Sequence, residues 1–89
     1  MKLTKEDYLR IKRTILKKLY SAKAFRKGHL LLETLQSGLP AHFIGFVKDI
    51  LKDLIKERLV VYYGKTSHGL AYQLNIKELA EIERTIFSS

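Results

Sequence analysis

The chain has 89 residues, with 17 Lys and Arg against 9 Asp and Glu, a formal net charge of +8 and no cysteine. A chain of this length holds one hydrophobic core, so we expect a single domain over residues 1–89. The absence of cysteine excludes disulfides and thiolate metal sites. No apolar run approaches the roughly 20 residues that span a bilayer, and no secretory signal is evident, so we expect a cytoplasmic protein without membrane contact.

The excess positive charge lies in the first third of the chain. Residues 1–27 hold ten basic and two acidic side chains, whereas residues 28–89 hold seven of each. This asymmetry is typical of a protein that binds a polyanion, and nucleic acid is the simplest polyanion partner. A solvated basic helix that only aids solubility would have the same composition.

A first helix is predicted over about residues 4–20. Thr4 is placed to accept a hydrogen bond from the backbone N–H of Asp7 and so to cap the helix. Apolar residues recur at helical spacing and form the expected buried stripe: Tyr8, Ile11, Ile15 and Leu19. Basic residues occupy the opposite side: Arg10, Arg13 and Lys17. These three basic residues are either contacts to flanking DNA or an ordinary solvated face.

The next segments form a helix–turn–helix pattern. A basic connector over residues 21–27 leads to a short helix predicted over 29–36, which Ser37–Gly38 should end. Pro40 favours the start of a third helix, predicted over 40–57. Two helices joined by a four-residue turn that contains glycine are the signature of this motif.

A β-hairpin and a final helix complete the predicted chain. The apolar period changes to that of strands over residues 59–74, with a polar loop over 64–69 between the two strands. Asn75 is expected to cap a C-terminal helix over residues 76–87, with Glu78 in a capping-box position.

This order of elements resembles the winged helix-turn-helix superfamily. The stretch from Leu51 to Val60 looks like a recognition helix that runs into a wing, and Tyr72-Gln73-Leu74 looks like the end of the second wing strand. The resemblance covers about residues 4–87, and the small basic format is similar to that of compact regulators of archaea and their viruses. It implies an α+β fold with a three-helix core, a two-stranded β-hairpin wing and a C-terminal helix.

The resemblance implies sequence-specific binding of double-stranded DNA by a small transcriptional regulator. The third helix would enter the major groove, and the wing and the basic connector would contact the backbone. Carried onto this sequence, the third helix would contribute Ala41, His42, Gly45, Lys48, Asp49 and Lys52 at base edges and Lys56 at phosphate. Wing contacts would come from Lys65, Thr66, Ser67 and His68, and connector contacts from Lys23, Arg26 and Lys27. Such a protein would be nucleoid-associated when bound.

The chemistry of the third helix supports this reading only in part. Lys48 and Lys52 can donate to guanine, and Asp49 can accept from cytosine. The helix has no Arg, Asn or Gln, and its polar face is expected to be nearly neutral because Asp49 and Asp53 oppose its lysines. Two alternatives therefore stay open: a protein-interaction winged helix with Phe46 in an exposed apolar patch, and an RNA-binding winged helix that uses the basic N-terminal third.

Other functions find less support in the sequence. No nucleophile motif, phosphate-binding loop or His spacing for a metal is present, so we expect no enzyme activity, metal or cofactor. Tyr62, Tyr63 and Tyr72 could stack on bases, but aromatic residues at such positions more often pack between strands.

The last helix carries more apolar residues than a small core needs: Ile76, Leu79, Ile82, Ile86 and Phe87. We therefore expect a homodimer through the last and first helices.

Overall fold

The computed structural model describes residues 3–88, and these form an α+β fold with five α-helices and a three-stranded antiparallel sheet. The elements, in chain order, are α1 (Lys5–Ser21), β1 (Leu30–Leu31), α2 (Leu32–Gln36), α3 (Ala41–Ile44), α4 (Val47–Lys56), β2 (Val60–Thr66), β3 (Gly69–Leu74) and α5 (Leu79–Phe87).

Helix α1 begins where the sequence predicts. The side chain of Thr4 accepts a 3.1 Å hydrogen bond from the Asp7 backbone N–H, which confirms the cap. The apolar stripe of α1 lies in the hydrophobic core, where it meets buried residues of α4, β3 and α5. Its fully buried members are Ile11, Ile15, Leu16 and Leu19.

The helix predicted over residues 29–36 is shorter than expected. Leu30 and Leu31 instead form β1, which pairs with Tyr72 and Ala71 of β3, and α2 begins only at Leu32. A run of three leucines does not distinguish a helix from a strand by its period. The free edge of β3, which is distant in sequence, supplies the backbone partners that favour the strand.

The helix predicted over residues 40–57 is divided into α3 and α4. At the division, the Phe46 N–H donates to the Phe43 carbonyl at 3.0 Å, three residues back, and Gly45 precedes it. Glycine is a poor former of helix interiors because it loses the most backbone entropy. Phe46 lies half-buried against the core, and Ile44, two residues before it, is exposed.

The hairpin covers nearly the predicted residues, but its strands are longer and its turn is shorter than predicted. Strand β2 continues to Thr66, so Ser67 and His68 alone form the connection rather than a loop over residues 64–69. The Thr66 hydroxyl accepts from the His68 N–H at 3.1 Å and donates to the Gly69 carbonyl at 2.9 Å, which fixes this turn.

The sheet has the order β1-β3-β2, and one β-bulge interrupts the pairing of β2 with β3. Tyr62 pairs with Tyr72 and Gly64 pairs with Ala71, so Tyr63 is the extra residue. The core side of β3, which we name the inner face, carries Leu70, Tyr72 and Leu74. Because side chains alternate along a strand, Ala71 and Gln73 project from the opposite side, the outer face.

The C-terminal segment begins with a 3₁₀ turn, Ile76–Glu78, before α5. The Asn75 side chain accepts from the Lys77 N–H at 3.1 Å and so caps this turn, and it donates to the Arg58 carbonyl at 2.8 Å. The predicted capping box is not formed, because the Asn75 N–H donates to the Leu59 carbonyl and Glu78 is itself the N-cap of α5. Ile82 and Ile86 of α5 are buried in the core of the same chain. Much of the apolar stripe that suggested a dimer is therefore covered within the protomer.

Candidate nucleic-acid interface

Helix α4 presents three lysines on its exposed face. Lys48, Lys52 and Lys56 are all exposed, and at 100° per residue they span about 80° of arc. The opposite face is held in the core by four buried residues: Val47, Ile50, Leu51 and Leu54. The apolar spacing of the sequence thus fixes the orientation of the lysines.

Two acidic residues, Asp53 of α4 and Glu57 just after it, bond to side chains of α1. The Tyr8 hydroxyl donates to Asp53 Oδ2 at 2.7 Å, and Lys12 Nζ forms a 2.6 Å ion pair with Glu57. Asp53 is half-buried. No ion pair joins Asp53 to a lysine of α4 among residues 3–88. Asp49 is the exposed acidic residue of α4.

Burial also changes the acid–base behaviour of the tyrosine in this contact. Desolvation of the ring, and then the hydrogen bond and charge of Asp53, raise the pKa of Tyr8 to about 12. The phenol therefore keeps its proton, and remains a donor to Asp53, at a pH where a free tyrosine has ionised. No local sequence pattern indicates this contact, because 45 positions separate the two residues.

The bulge places Lys65 on the same side of the sheet as α4. In an uninterrupted strand, Lys65 would share a face with Tyr63, but the extra residue brings it opposite Leu70 on the inner face. Leu70 in turn lines a groove of about 200 Å³ together with Lys48 and Lys52. Lys65 and the groove that Lys48 and Lys52 line therefore lie on the same side of the sheet.

The predicted residues of α3 are exposed beside α4. Ala41, His42 and Gly45 are all on the surface. The His42 ring lies 4.2 Å from the Phe43 ring, measured between centroids. A Cβ at Gly45 would meet no atom within 4 Å, and its φ of −64° suits any residue. The surroundings of Gly45 within this chain therefore do not require glycine.

Two of the predicted contact residues in the hairpin turn are exposed, and a third is hydrogen-bonded within the turn. Ser67 and His68 are exposed at the tip. The Thr66 hydroxyl has a donor and an acceptor role within the turn, so it has less capacity left for an external partner. Ser67 and His68 are the better placed of the three.

The basic connector lies at the other end of β3. Lys23, Arg26 and Lys27 are exposed, and the Gln73 side chain donates to the carbonyls of Arg26 at 2.7 Å and Gly28 at 3.0 Å. Lys65 is opposite Leu70, three residues along β3 from Gln73, which corresponds to about 10 Å. Gln73 also projects from the outer face, whereas Leu70 projects from the inner one. The structure does not join the connector to the α4 lysines.

The basic residues of α1 have several different surroundings. Lys18 Nζ donates to the carbonyl of Thr34 at 3.1 Å and to that of Ser37, so it satisfies the C-terminal end of α2. Arg10 lines a groove beside Pro40 and Phe43, close to the start of α3. Lys17 is exposed on the outer side of α1. The sequence did not distinguish the structural role of Lys18 from those of its neighbours.

Comparison with known proteins gave no match to a protein-family model, a curated protein or a solved structure. Over residues 3–88, no helix has both the length and the apolar character required to cross a membrane. The same residues contain no cluster of three or more His, Asp and Glu side chains with metal-binding geometry.

Proposed function

We propose that this chain is a winged helix-turn-helix protein that binds double-stranded DNA as a small transcriptional regulator. The observation that carries the proposal is the charge arrangement on α4: Tyr8 and Lys12 hold Asp53 and Glu57 against α1, while three lysines remain exposed. This arrangement gives α4 a cationic outer face that its composition alone does not indicate.

The connections around α4 support the fold assignment. Helices α2 and α3 are separated by Ser37–Pro40, a four-residue turn that contains glycine, as in helix–turn–helix motifs. The β2–β3 hairpin follows α4 directly and takes the position of a wing. In this arrangement α3 and α4 together take the place of the recognition helix.

The proposed binding mode assigns a role to each group of residues. Lys48 and Lys52 reach guanine edges in the major groove, and Asp49 accepts from cytosine. Ala41, His42 and Gly45 lie along the same approach. Phosphates are contacted by two further lysines and by the hairpin tip: Lys56, Lys65, Ser67 and His68. Because lysine–phosphate pairs supply most of the affinity, binding weakens steeply with salt, by about 0.9 log unit per phosphate contact and decade of salt.

The test compares two double variants that remove the same charge from different surfaces. K48Q/K52Q removes two lysines of the α4 face, and K5Q/K77Q removes two exposed lysines outside it. Fluorescence anisotropy with a duplex of about 20 base pairs should show at least tenfold weaker binding for K48Q/K52Q and little change for K5Q/K77Q. The salt slope should fall by about 1.8 for K56Q/K65Q instead, since that variant loses two phosphate contacts. Equal effects of the two variants, or no binding by the unmodified protein at low salt, would contradict the proposal.

A further inference from the structure

The outer face of the sheet carries an exposed aromatic pair that the duplex-binding proposal does not use. The rings of His29 and Tyr63 are stacked, with centroids 4.3 Å apart and an interplanar angle of 19°. His29 directly precedes β1 and Tyr63 is the bulge residue of β2, so the pair spans the central strand β3. Ala71 of β3 is fully buried although it lies outside the core cluster, which fits a position beneath the two rings.

The stacked pair remains accessible to solvent. Tyr63 is 47% exposed, and His29 is exposed as well. Each ring occupies only one face of its partner. Stacking on such rings is sequence-tolerant, because every nucleobase has a flat π-face.

A cationic segment borders the pair at the base of the hairpin. Gln73 holds the Arg26–Gly28 segment against the end of β3 through its two hydrogen bonds. Lys23, Arg26 and Lys27 are exposed there, and the sequence has no acidic residue between Asp7 and Glu33. The surface is therefore complementary to a polyanion that also carries flat bases.

The Gln73 amide supplies a polar group with a fixed orientation. Both of its partners are carbonyl oxygens, so Nε2 must face them and Oε1 must point away. No group among residues 3–88 donates to Oε1. A free acceptor of this kind can bind a ribose 2′-hydroxyl, which DNA lacks. It cannot bind a phosphodiester, which has no hydrogen to donate.

We propose that this outer face binds single-stranded RNA. One unpaired base stacks on the His29–Tyr63 pair, the adjacent phosphates contact Lys23, Arg26 and Lys27, and a 2′-hydroxyl donates to Gln73 Oε1. A duplex does not fit, because its bases are already stacked on one another and their flat faces are covered. The site lies away from the α4 lysines and does not depend on the duplex-binding proposal.

The sequence offers a matched control for the stacking residue. Tyr62 is 46% exposed, almost the same as Tyr63, but it pairs with Tyr72 on the inner face of the sheet. In anisotropy titrations with a fluorescein-labelled oligouridine of about 12 nucleotides, Y63L should bind about tenfold more weakly than the unmodified protein. Y63F, which keeps the ring, and Y62L should bind with unchanged affinity. R26Q/K27Q should weaken binding and reduce its salt dependence.

The α4 variant separates this proposal from the preceding one. K48Q/K52Q should bind oligouridine normally while it loses duplex binding, and R26Q/K27Q should show the reverse pattern. Oligouridine affinity that falls with K48Q/K52Q, or that is unaffected by Y63L, would overturn the proposal. Equal affinity for the oligodeoxyuridine of the same length would overturn the assignment to RNA.

If Y63L changed the oligomeric state but not RNA binding, the proposal would be wrong and the outer face would be an interface between copies of the chain. Circular dichroism checks the fold of each variant, and H29A provides a second test of the pair should Y63L unfold.

Discussion

The Tyr8 hydroxyl and the Asp53 carboxylate form a 2.7 Å hydrogen bond that joins the first helical turns of α1 to α4. The bond has two consequences. It ties α4 to α1, together with the Lys12–Glu57 ion pair four residues further along each segment. It also directs the Asp53 carboxylate toward α1, which leaves Asp49 as the exposed acidic residue of α4.

Replacement of Tyr8 by Phe should lower stability in a pH-dependent way. The variant loses one hydrogen bond to a charged group, which costs about 1–2 kcal/mol near neutral pH. The folded pKa of about 12 lies above the ordinary value of 10, so the folded state favours the protonated phenol. The stabilisation is therefore complete below about pH 10 and is lost as the pH rises through 12.

Urea unfolding of the unmodified protein and Y8F at several pH values measures this effect. The difference in unfolding free energy between the two proteins should be constant up to about pH 10 and should shrink above it. The pKa of Tyr20 is raised by its hydrogen bond to Glu83 and that of Tyr72 by burial. Both residues are present in the two proteins, so their effects cancel. If the difference in unfolding free energy stayed constant to the highest pH, the stabilisation would not come from the protonated hydroxyl of Tyr8.

Removal of the carboxylate of Asp49 should strengthen binding to duplex DNA of arbitrary sequence. Asp49 is exposed beside Lys48 and Lys52, where it repels phosphates. We expect D49N to bind nonspecific duplex about threefold more tightly at low salt, whereas E33Q, which removes an exposed acid of α2, should bind as the unmodified protein does. Anisotropy titrations at two salt concentrations make the comparison. An equal gain in both variants would indicate that only the net charge matters.

The sequence predicts those parts of the fold that depend on neighbouring residues. Thr4 caps α1 and Asn75 caps the 3₁₀ turn before α5 through backbone groups two or three positions away, and the apolar period of α1 is repeated over several turns. Strand β1 could not be found in this way, because Leu30 and Leu31 become a strand only by pairing with β3. The same holds for Asp53, whose partner Tyr8 is distant in sequence.

The candidate site shows the same division between local and long-range information. The lysines of α4 are exposed as the helical period of the apolar residues predicts. The side of the sheet on which Lys65 lies depends on a bulge. One extra residue shifts the alternation of the strand, and the sequence pattern does not show where this happens. The connector carries the charge expected of it, but its position at the base of the hairpin depends on the hydrogen bonds of Gln73.

Gly64 should be more important for stability than Gly45. Gly64 follows the bulge residue and has a φ of 145°, in a region that side chains other than glycine rarely adopt. We expect G64A to lower the unfolding free energy by about 1–3 kcal/mol. G45A should leave it unchanged or raise it by up to about 1 kcal/mol, because its backbone suits alanine and the space is open.

The two glycine variants should behave differently in DNA binding. Gly45 lies on the proposed approach to the major groove, where an added methyl group would hold the backbone of α3 further from the DNA. We therefore expect G45A to bind duplex more weakly although its thermal unfolding temperature is unchanged or higher. Binding that is unaffected by G45A would place α3 away from the DNA.

Replacement of Phe87 by Ser should dissociate the predicted homodimer. With Ile82 and Ile86 buried in the core, Phe87 is the most exposed large apolar residue of the described chain, at 66%, and its ring meets Tyr20 of α1 edge-on at 5.7 Å. A dimer through α5 and α1 would cover both rings and add apolar burial to a small core. Sedimentation equilibrium should therefore give a dimer for the unmodified protein and a monomer for F87S. The control I44S removes an exposed apolar side chain of α3, at 37%, and should leave the dimer intact. If the unmodified protein were a monomer at all concentrations, there would be no homodimer. Dissociation by I44S instead of F87S would place the dimer contact at α3.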